Sequence, residues 1–124
     1  IEHLENPKVF LNSLCQSLCS GGKIFISCPN QDVEPFDKSK YPFHFKHYTQ
    51  SQMQKLLLEA GFENISFYTQ KDSLNCEIKQ GADGKYIIAT ANKGEEPKLS
   101  PQYTKIETLS AVRINSFKTF KAFE

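Results

Sequence analysis

The sequence predicts an α/β fold, in which the strands of a sheet pack against helices. Residues 24–26 are consecutive apolar residues, two of them β-branched, which is typical of a strand that is buried on both faces. Pro29 cannot donate to a β ladder, so we expect the strand to end there. Residues 86–91 predict a second buried strand. Ligands of open α/β sheets bind beyond the carboxyl ends of the strands, so the residues after Cys28 are candidates for function.

The composition indicates one ordinary domain without a charge suited to polyanionic partners. The 124 residues include 15 Lys and Arg against 14 Asp and Glu, which argues against binding nucleic acids or membrane surfaces through bulk charge. No apolar run approaches the length of a membrane span, and no signal peptide is visible. We expect a cytoplasmic protein whose reduced cysteines serve in packing: Cys15, Cys19, Cys28 and Cys76.

The first predicted helix covers residues 7–19. Asn6 suits its N-cap, and Pro7 suits its first position because an N–H there would have no partner within the helix. Gly21 or Gly22 is expected to supply a left-handed C-cap, a conformation that glycine adopts without strain. The helix therefore leads directly into the first strand.

A long loop over residues 30–48 follows the carboxyl end of that strand. It has no helical or strand period and carries two histidines and a dense set of aromatic residues, Phe36, Tyr41, Phe43, Phe45 and Tyr48. A loop of this length and composition is more often functional than not. The alternative is that its aromatic residues simply pack on the edge of the sheet.

The second predicted helix begins at a capping box and ends at a glycine. Thr49 suits the N-cap, and the side chain of Gln52 can reach back to the Thr49 amide. Gly61 suits the left-handed C-cap. These signals bound a helix of about three turns.

Two strands follow with only a polar loop between them. Residues 63–70 alternate apolar and polar side chains, which predicts one buried face, and residues 86–91 are mostly apolar. The loop over residues 71–85 carries an Asp-Gly turn signal and no helical pattern, so we expect the two strands to pair antiparallel. Residues 94–124 differ in composition and are predicted to be a linker or tail that contains at most a short helix or strand.

Six short segments stand in a distinctive order and spacing. They are Ile1-Glu2-His3-Leu4, Gly21-Gly22-Lys23, Ile26-Ser27-Cys28-Pro29-Asn30, His47-Tyr48-Thr49, Leu57-Leu58-Glu59-Ala60-Gly61-Phe62 and Ile87-Ile88-Ala89-Thr90-Ala91. Over residues 1–93 they resemble the C-terminal half of a class I S-adenosylmethionine-dependent methyltransferase. The resemblance implies a Rossmann-like mixed sheet made of the family's strands 5, 6 and 7 with flanking helices. The antiparallel last strand, residues 86–91, would lie between residues 24–28 and residues 63–70.

The family's main cofactor motifs are absent from this sequence. It has no Gly-rich loop after a first strand and no acidic residue after a second, and residues 81–84 do not lie between a buried strand and a helix. The resemblance therefore implies a partial chain that begins at the end of the family's fourth strand and lacks most of the cofactor site. Residues 24–28 would then have an unpaired edge, so we expect a homodimer or the remainder of a longer chain.

The resemblance implies transfer of a methyl group from S-adenosylmethionine to a small-molecule acceptor. His3 and Glu2 would be catalytic, with His3 as the general base because imidazole titrates near neutral pH. Ile1 and Leu4 would bind the cofactor. The acceptor would lie under the long loop, in contact with the predicted binding residues Asn30, His44, His47 and Tyr48. The alternative for His3 is a helix-entry residue that hydrogen-bonds the neighbouring loop.

Two alternatives stay open. Some methyltransferases of the resembled family that methylate hydroxyl groups bind a divalent metal through a Glu-x-x-Glu-His motif. Glu2-His3 matches the last two residues of this motif, but the pair alone assigns no metal site. The other alternative is a non-catalytic α/β module for interaction or oligomerisation. Its contact surface would be the aromatic loop and the tail with Phe117, Phe120 and Phe123. A strand followed by Gly-x-Gly-x-Gly upstream of Ile1 would favour the enzyme.

Overall fold

The computed structural model describes residues 1–95 as an α/β fold. The elements follow in the order α1 (Pro7–Ser17), β1 (Lys23–Pro29), α2 (Gln50–Glu59), β2 (Phe62–Gln70), β3 (Ile78–Gln80) and β4 (Tyr86–Lys93). Across this range the strands form one four-stranded sheet in the order β1-β4-β2-β3, and each pair is antiparallel. Nearly all of the predicted tail, residues 96–124, lies outside the described residues.

The predicted order of the three long strands is confirmed, because β4 lies between β1 and β2 and runs antiparallel to both. The predicted mixed, Rossmann-like sheet is not confirmed, because residues 1–95 contain no parallel pair of strands. The prediction that residues 71–85 form only a loop was wrong, since β3 pairs there with the end of β2. β3 is three residues long and exposed throughout, so it offers no alternation for a sequence argument to detect.

Local capping explains where the helices begin and where α2 ends. The side chain of Asn6 accepts a hydrogen bond from Val9 N at 3.3 Å. Gln52 N donates to Thr49 Oγ1 at 3.2 Å, and Thr49 N donates to Gln52 Oε1 at 3.1 Å, so the predicted capping box is confirmed. Gly61, with φ +92°, has the predicted left-handed conformation after α2.

The predicted left-handed C-cap of the first helix was wrong. α1 ends at Ser17, and its C-cap residue Leu18 is extended rather than left-handed. Gly21, with φ +72°, lies instead in the turn that leads to β1. There Gly21 N donates to Lys93 O at 3.2 Å, and Lys93 N donates to Gly22 O at 2.7 Å. The left-handed glycine therefore lies in the turn that aligns with the end of β4 rather than at the C-cap of α1.

The core lies on one face of the sheet. Both described helices, alternate strand positions and the loop residue Tyr48 contribute to it. Its buried members are Leu11, Cys15, Ile24, Ile26, Cys28, Tyr48, Met53, Leu57, Phe62, Phe67, Ile87, Ala89 and Ala91. The prediction that residues 24–26 are buried on both faces was wrong, because burial alternates along β1 and Phe25 is 71% exposed. Cys19 and Cys76 are exposed, so the predicted packing role was wrong for these two cysteines. None of the helices within residues 1–95 has the length and apolar character needed to span a bilayer.

Candidate functional site

Asn30 ties the carboxyl end of β1 to the turn before β4. Its side chain is completely buried, and Nδ2 donates to the carbonyl oxygens of Ala82 and Gly84, each at 2.9 Å. Its Oδ1 accepts a hydrogen bond from Asp32 N at 3.1 Å. Since both amide hydrogens are committed to backbone carbonyls, Asn30 anchors the start of the loop. Its contact with a substrate stays a prediction.

The loop over residues 31–47 leaves the sheet and returns to it at neighbouring points. Gln31 N donates to Tyr48 O at 3.0 Å, and Tyr48 N lies 3.4 Å from Pro29 O. Asn30 and Tyr48 thus form an isolated parallel β-bridge, and the Tyr48 side chain is buried in the core. Because both ends of the loop are fixed at the carboxyl end of β1, the loop is held beside that end of the strand.

The loop packs against residues 1–4. Phe45 N donates to Glu2 O at 2.8 Å. His3 Nδ1 lies 3.1 Å from Phe43 O, which can only accept a hydrogen bond. The hydrogen bond expected from the alternative interpretation of His3 is therefore present, and it occupies Nδ1. These contacts join two segments that are distant in sequence into one site.

Three histidine rings and one tyrosine ring form a connected cluster. The ring centroids of His3 and His44 are 4.6 Å apart, and those of His44 and His47 are 5.0 Å apart. Tyr41 stacks on His44 with an interplanar angle of 13°. His44 Nδ1 lies 2.7 Å from His47 Nε2, and His47 Nδ1 lies 2.6 Å from the backbone carbonyl oxygen of Glu34. His47 is completely buried, so its predicted contact with substrate would be indirect.

The carboxylate of Glu34 links this cluster to the sheet. It accepts hydrogen bonds from Lys40 Nζ and Tyr41 Oη, and Lys85 Nζ lies 3.3 Å from Glu34 Oε2. The hydrogen bonds from Lys40 and Tyr41 lower the pKa of Glu34 to about 2, so the group is ionised at neutral pH. Lys85 immediately precedes β4. Glu34 and Lys85 were not predicted as site residues, because a contact between distant residues leaves no local pattern in the sequence.

Glu2, His3 and His44 offer three ligand atoms that all lie within 4.8 Å of one another. His3 Nε2 is 3.6 Å from Glu2 Oε1. Burial lowers the pKa of His44 below its usual value, and the neighbouring His3 lowers it further. One carboxylate and two imidazoles form a donor set that suits a divalent cation such as Mn²⁺. No metal ligands were predicted from the sequence, and the approach of His44 to the Glu2-His3 pair was not predicted either.

An open groove of about 740 Å³ lies between the start of α1, α2 and the loop. Leu4, one of the two predicted cofactor-binding residues, lines it together with Phe45, Tyr48 and Leu56. Ile1, the other, packs against the core. The cofactor-binding roles of Ile1 and Leu4 stay predictions.

Comparison with known proteins supports the fold. No protein-family profile and no curated protein matches the chain. The chain is similar to a solved structure from Thermotoga maritima, described as a SAM-dependent methyltransferase and possible histamine N-methyltransferase, with a TM-score of 0.62 and 16% identity. The match covers 73% of this chain and 50% of that one, so the chain spans about half the length of this neighbour. At this identity the likeness shows a methyltransferase-like fold and nothing finer.

Proposed function

We propose that this chain is the C-terminal half of an S-adenosylmethionine-dependent methyltransferase that acts on a small-molecule acceptor. The observation that carries the proposal is the docking of the loop on residues 1–4, which brings His44 beside Glu2 and His3. The shared fold supports it. In the family that the sequence resembles, the segment matching residues 1–4 follows the fourth strand, where cofactor and acceptor meet.

The described residues fit one side of such a cofactor site. S-adenosylmethionine supplies the methyl group when bound. Residues 1–95 include no Gly-rich loop between a buried strand and a helix, so the greater part of that site would come from outside this range. Leu4, on the groove, and Ile1 would contribute the remaining edge.

The chemistry needs an aligned nucleophile and a place for its proton. The bound cofactor would supply the methyl group to the acceptor oxygen or nitrogen and leave as a neutral thioether, and the proton that the acceptor loses would move to a base of this chain. His3 suits this base, because Phe43 O holds Nδ1 as the donor and leaves the lone pair on Nε2. Glu2 Oε1, at 3.6 Å, would stabilise the imidazolium that forms.

Substitution of His3 in the full-length polypeptide that contains this chain tests the proposal. His3→Ala should lower kcat by about 10²–10⁴-fold and leave the affinity for S-adenosylmethionine nearly unchanged, because a base acts in the transition state. His3→Gln is the matched control, since an amide can donate to Phe43 O but cannot take up the proton. It should be as slow as His3→Ala. Full activity of His3→Gln would contradict the base and support the alternative in which His3 only anchors the loop.

A metal-assisted form of the same reaction is the second candidate. The observation that favours it is the convergence of ligand atoms from Glu2, His3 and His44 within 4.8 Å. A divalent cation held there would orient the acceptor and make its hydroxyl more acidic. His3 would then bind the cation rather than accept the proton.

A non-catalytic interaction module is the alternative from another functional class. The exposed ring of Phe25 and the position of β1 at one edge of the described sheet favour it. Such a module would have no need of the cofactor. Failure of the full-length polypeptide to bind S-adenosylmethionine would support this alternative.

A further inference from the structure

We propose that His47 is a positioning residue that fixes the tautomer of His44 through a chain of hydrogen bonds ending at the backbone carbonyl of Glu34. His44 would then present an unprotonated Nε2 to the methyl acceptor. The part that concerns the acceptor rests on the function proposed above, whereas the tautomer itself does not. The direction of each hydrogen bond in this series follows from which of the two atoms can donate a proton.

The carbonyl of Glu34, at the far end of the hydrogen-bond chain, determines which nitrogen of His47 carries the proton. A carbonyl oxygen only accepts, so His47 Nδ1, 2.6 Å from Glu34 O, must carry a proton. A second proton on Nε2 would make His47 a completely buried cation. The side chains of Phe36 and Tyr41 that contact its ring bring no negative charge, and the Glu34 carboxylate is engaged by lysines and a tyrosine. With its single proton on Nδ1, the neutral His47 ring has a bare Nε2.

A His47 Nε2 without a proton then determines which nitrogen of His44 is protonated. His44 Nδ1 lies 2.7 Å from His47 Nε2, so His44 Nδ1 must donate. A neutral ring protonated at Nδ1 has its lone pair on Nε2. His47 thus determines which nitrogen of His44 can accept a hydrogen bond.

His3 is held in the same tautomer by a different carbonyl. Its Nδ1 lies 3.1 Å from Phe43 O and must donate, which leaves Nε2 bare in the neutral ring. Glu2, His3 and His44 each bring a ligand atom to the same cluster, and in the neutral rings of His3 and His44 the remaining nitrogen, Nε2, can only accept. A molecule that enters this cluster has to bring a donor. We infer that the methyl acceptor presents an O–H or N–H group to His44 Nε2.

Nitrogen NMR of the full-length polypeptide with ¹⁵N-labelled histidine tests the tautomer directly. Long-range proton–nitrogen correlations show which ring nitrogen carries the proton, and the signals of His3, His44 and His47 can be assigned by substitution. The expected result is protonation at Nδ1 in each of these three rings. Free histidine in water favours the opposite tautomer, so the expected pattern is distinctive. A wild-type His44 protonated at Nε2 would overturn the proposal.

Three variants separate positioning from packing. His47→Leu removes the acceptor for His44 Nδ1, and His44 should then move toward the Nε2–H tautomer. His47→Gln supplies an amide that can donate to Glu34 O and accept from His44, and should keep the wild-type tautomer. Phe36→Leu disturbs only the packing on His47 and should leave the tautomer unchanged. An unchanged His44 in folded His47→Leu would overturn the proposal, and if that variant does not fold, the wild-type spectrum decides.

Kinetics test the consequence for the acceptor. His47→Leu should raise the KM for the methyl acceptor by about tenfold, because the N–H on His44 Nε2 would then face the O–H or N–H group of the substrate. Its affinity for S-adenosylmethionine should not change, and His47→Gln should restore the wild-type KM. An unchanged KM together with the altered tautomer would refute the contact between acceptor and His44. Failure of the wild type to bind S-adenosylmethionine would refute the proposed function while leaving the tautomer result valid.

Discussion

Replacement of Glu34 by glutamine tests whether its carboxylate holds the loop to the sheet. Glutamine has nearly the same shape and can still accept from Tyr41, but it lacks the charge that pairs with Lys40 and Lys85. The Glu34 side chain is only 14% exposed, whereas those of Lys40 and Lys85 are 61% and 32% exposed. An exposed ion pair contributes about 0–1 kcal/mol and a hydrogen bond to a charged group about 1.5–3 kcal/mol. Because solvent screens both lysines, we expect Glu34→Gln to lower the free energy of unfolding by about 1–2 kcal/mol at pH 7.

The effect of Glu34→Gln should depend on pH in a defined direction. The pKa of the folded protein's Glu34 is about 2, below the ordinary value of 4.5. The stability that the carboxylate contributes is therefore complete above the ordinary pKa and is lost as the pH falls through the folded pKa. The difference between wild type and variant should be constant near neutral pH. It should shrink between pH 4.5 and about 2, the two pKa values.

Denaturant unfolding at pH 7 and at several acidic pH values measures both effects. Tyr41→Phe is the matched control, because it removes one hydrogen bond to Glu34 but keeps the carboxylate and both lysines. It should lower the free energy of unfolding by about 1.5 kcal/mol, the lower end of the range for a hydrogen bond to a charged group. Two results would refute the role of the Glu34 carboxylate in holding the loop to the sheet. One is a loss of unfolding free energy in Glu34→Gln at pH 7 that lies within the error of the measurement, and the other is an equal loss throughout the acidic range.

Two further predictions concern α2 and the cation. Thr49→Ala should lower the free energy of unfolding by about 1 kcal/mol, because the hydrogen bond from Gln52 N is lost, whereas Thr49→Ser should stay close to wild type. If the metal-assisted form is correct, Mn²⁺ should bind the full-length polypeptide, Glu2→Ala and His44→Ala should both weaken that binding, and excess Mn²⁺ should restore activity to Glu2→Ala. Calorimetry with Mn²⁺ and activity after chelation check this, and full activity in the chelator would contradict a metal role.

Signals carried by neighbouring residues were readable from the sequence. The capping box of Thr49 and Gln52 located the start of α2, and Gly61 located its end. The alternation along residues 63–70 predicted a strand, and the lack of a helix before residues 86–91 predicted antiparallel pairing. These features depend on backbone hydrogen bonds and side-chain periods that act within a few residues.

Features set by contacts across the fold could not be predicted in this way. The place of Gly21 in a turn paired with Lys93, rather than at the C-cap of α1, is a contact between distant residues. The exposure of Phe25 depends on which face of the sheet the helices cover. Within the site, the histidines were found by residue type. Their arrangement depends on how the loop returns to the sheet at Tyr48, so the burial of His47 had no sequence signal.

Binding of S-adenosylmethionine to the full-length polypeptide tests the central claim most directly. Calorimetric titration should show saturable binding at one site per chain. His3→Ala should bind the cofactor with nearly the same affinity, since His3 would act on the proton of the methyl acceptor. The cofactor itself would be held mainly by residues outside the range 1–95. Absence of binding by the wild type at millimolar cofactor would contradict the methyltransferase assignment and leave the interaction module in its place.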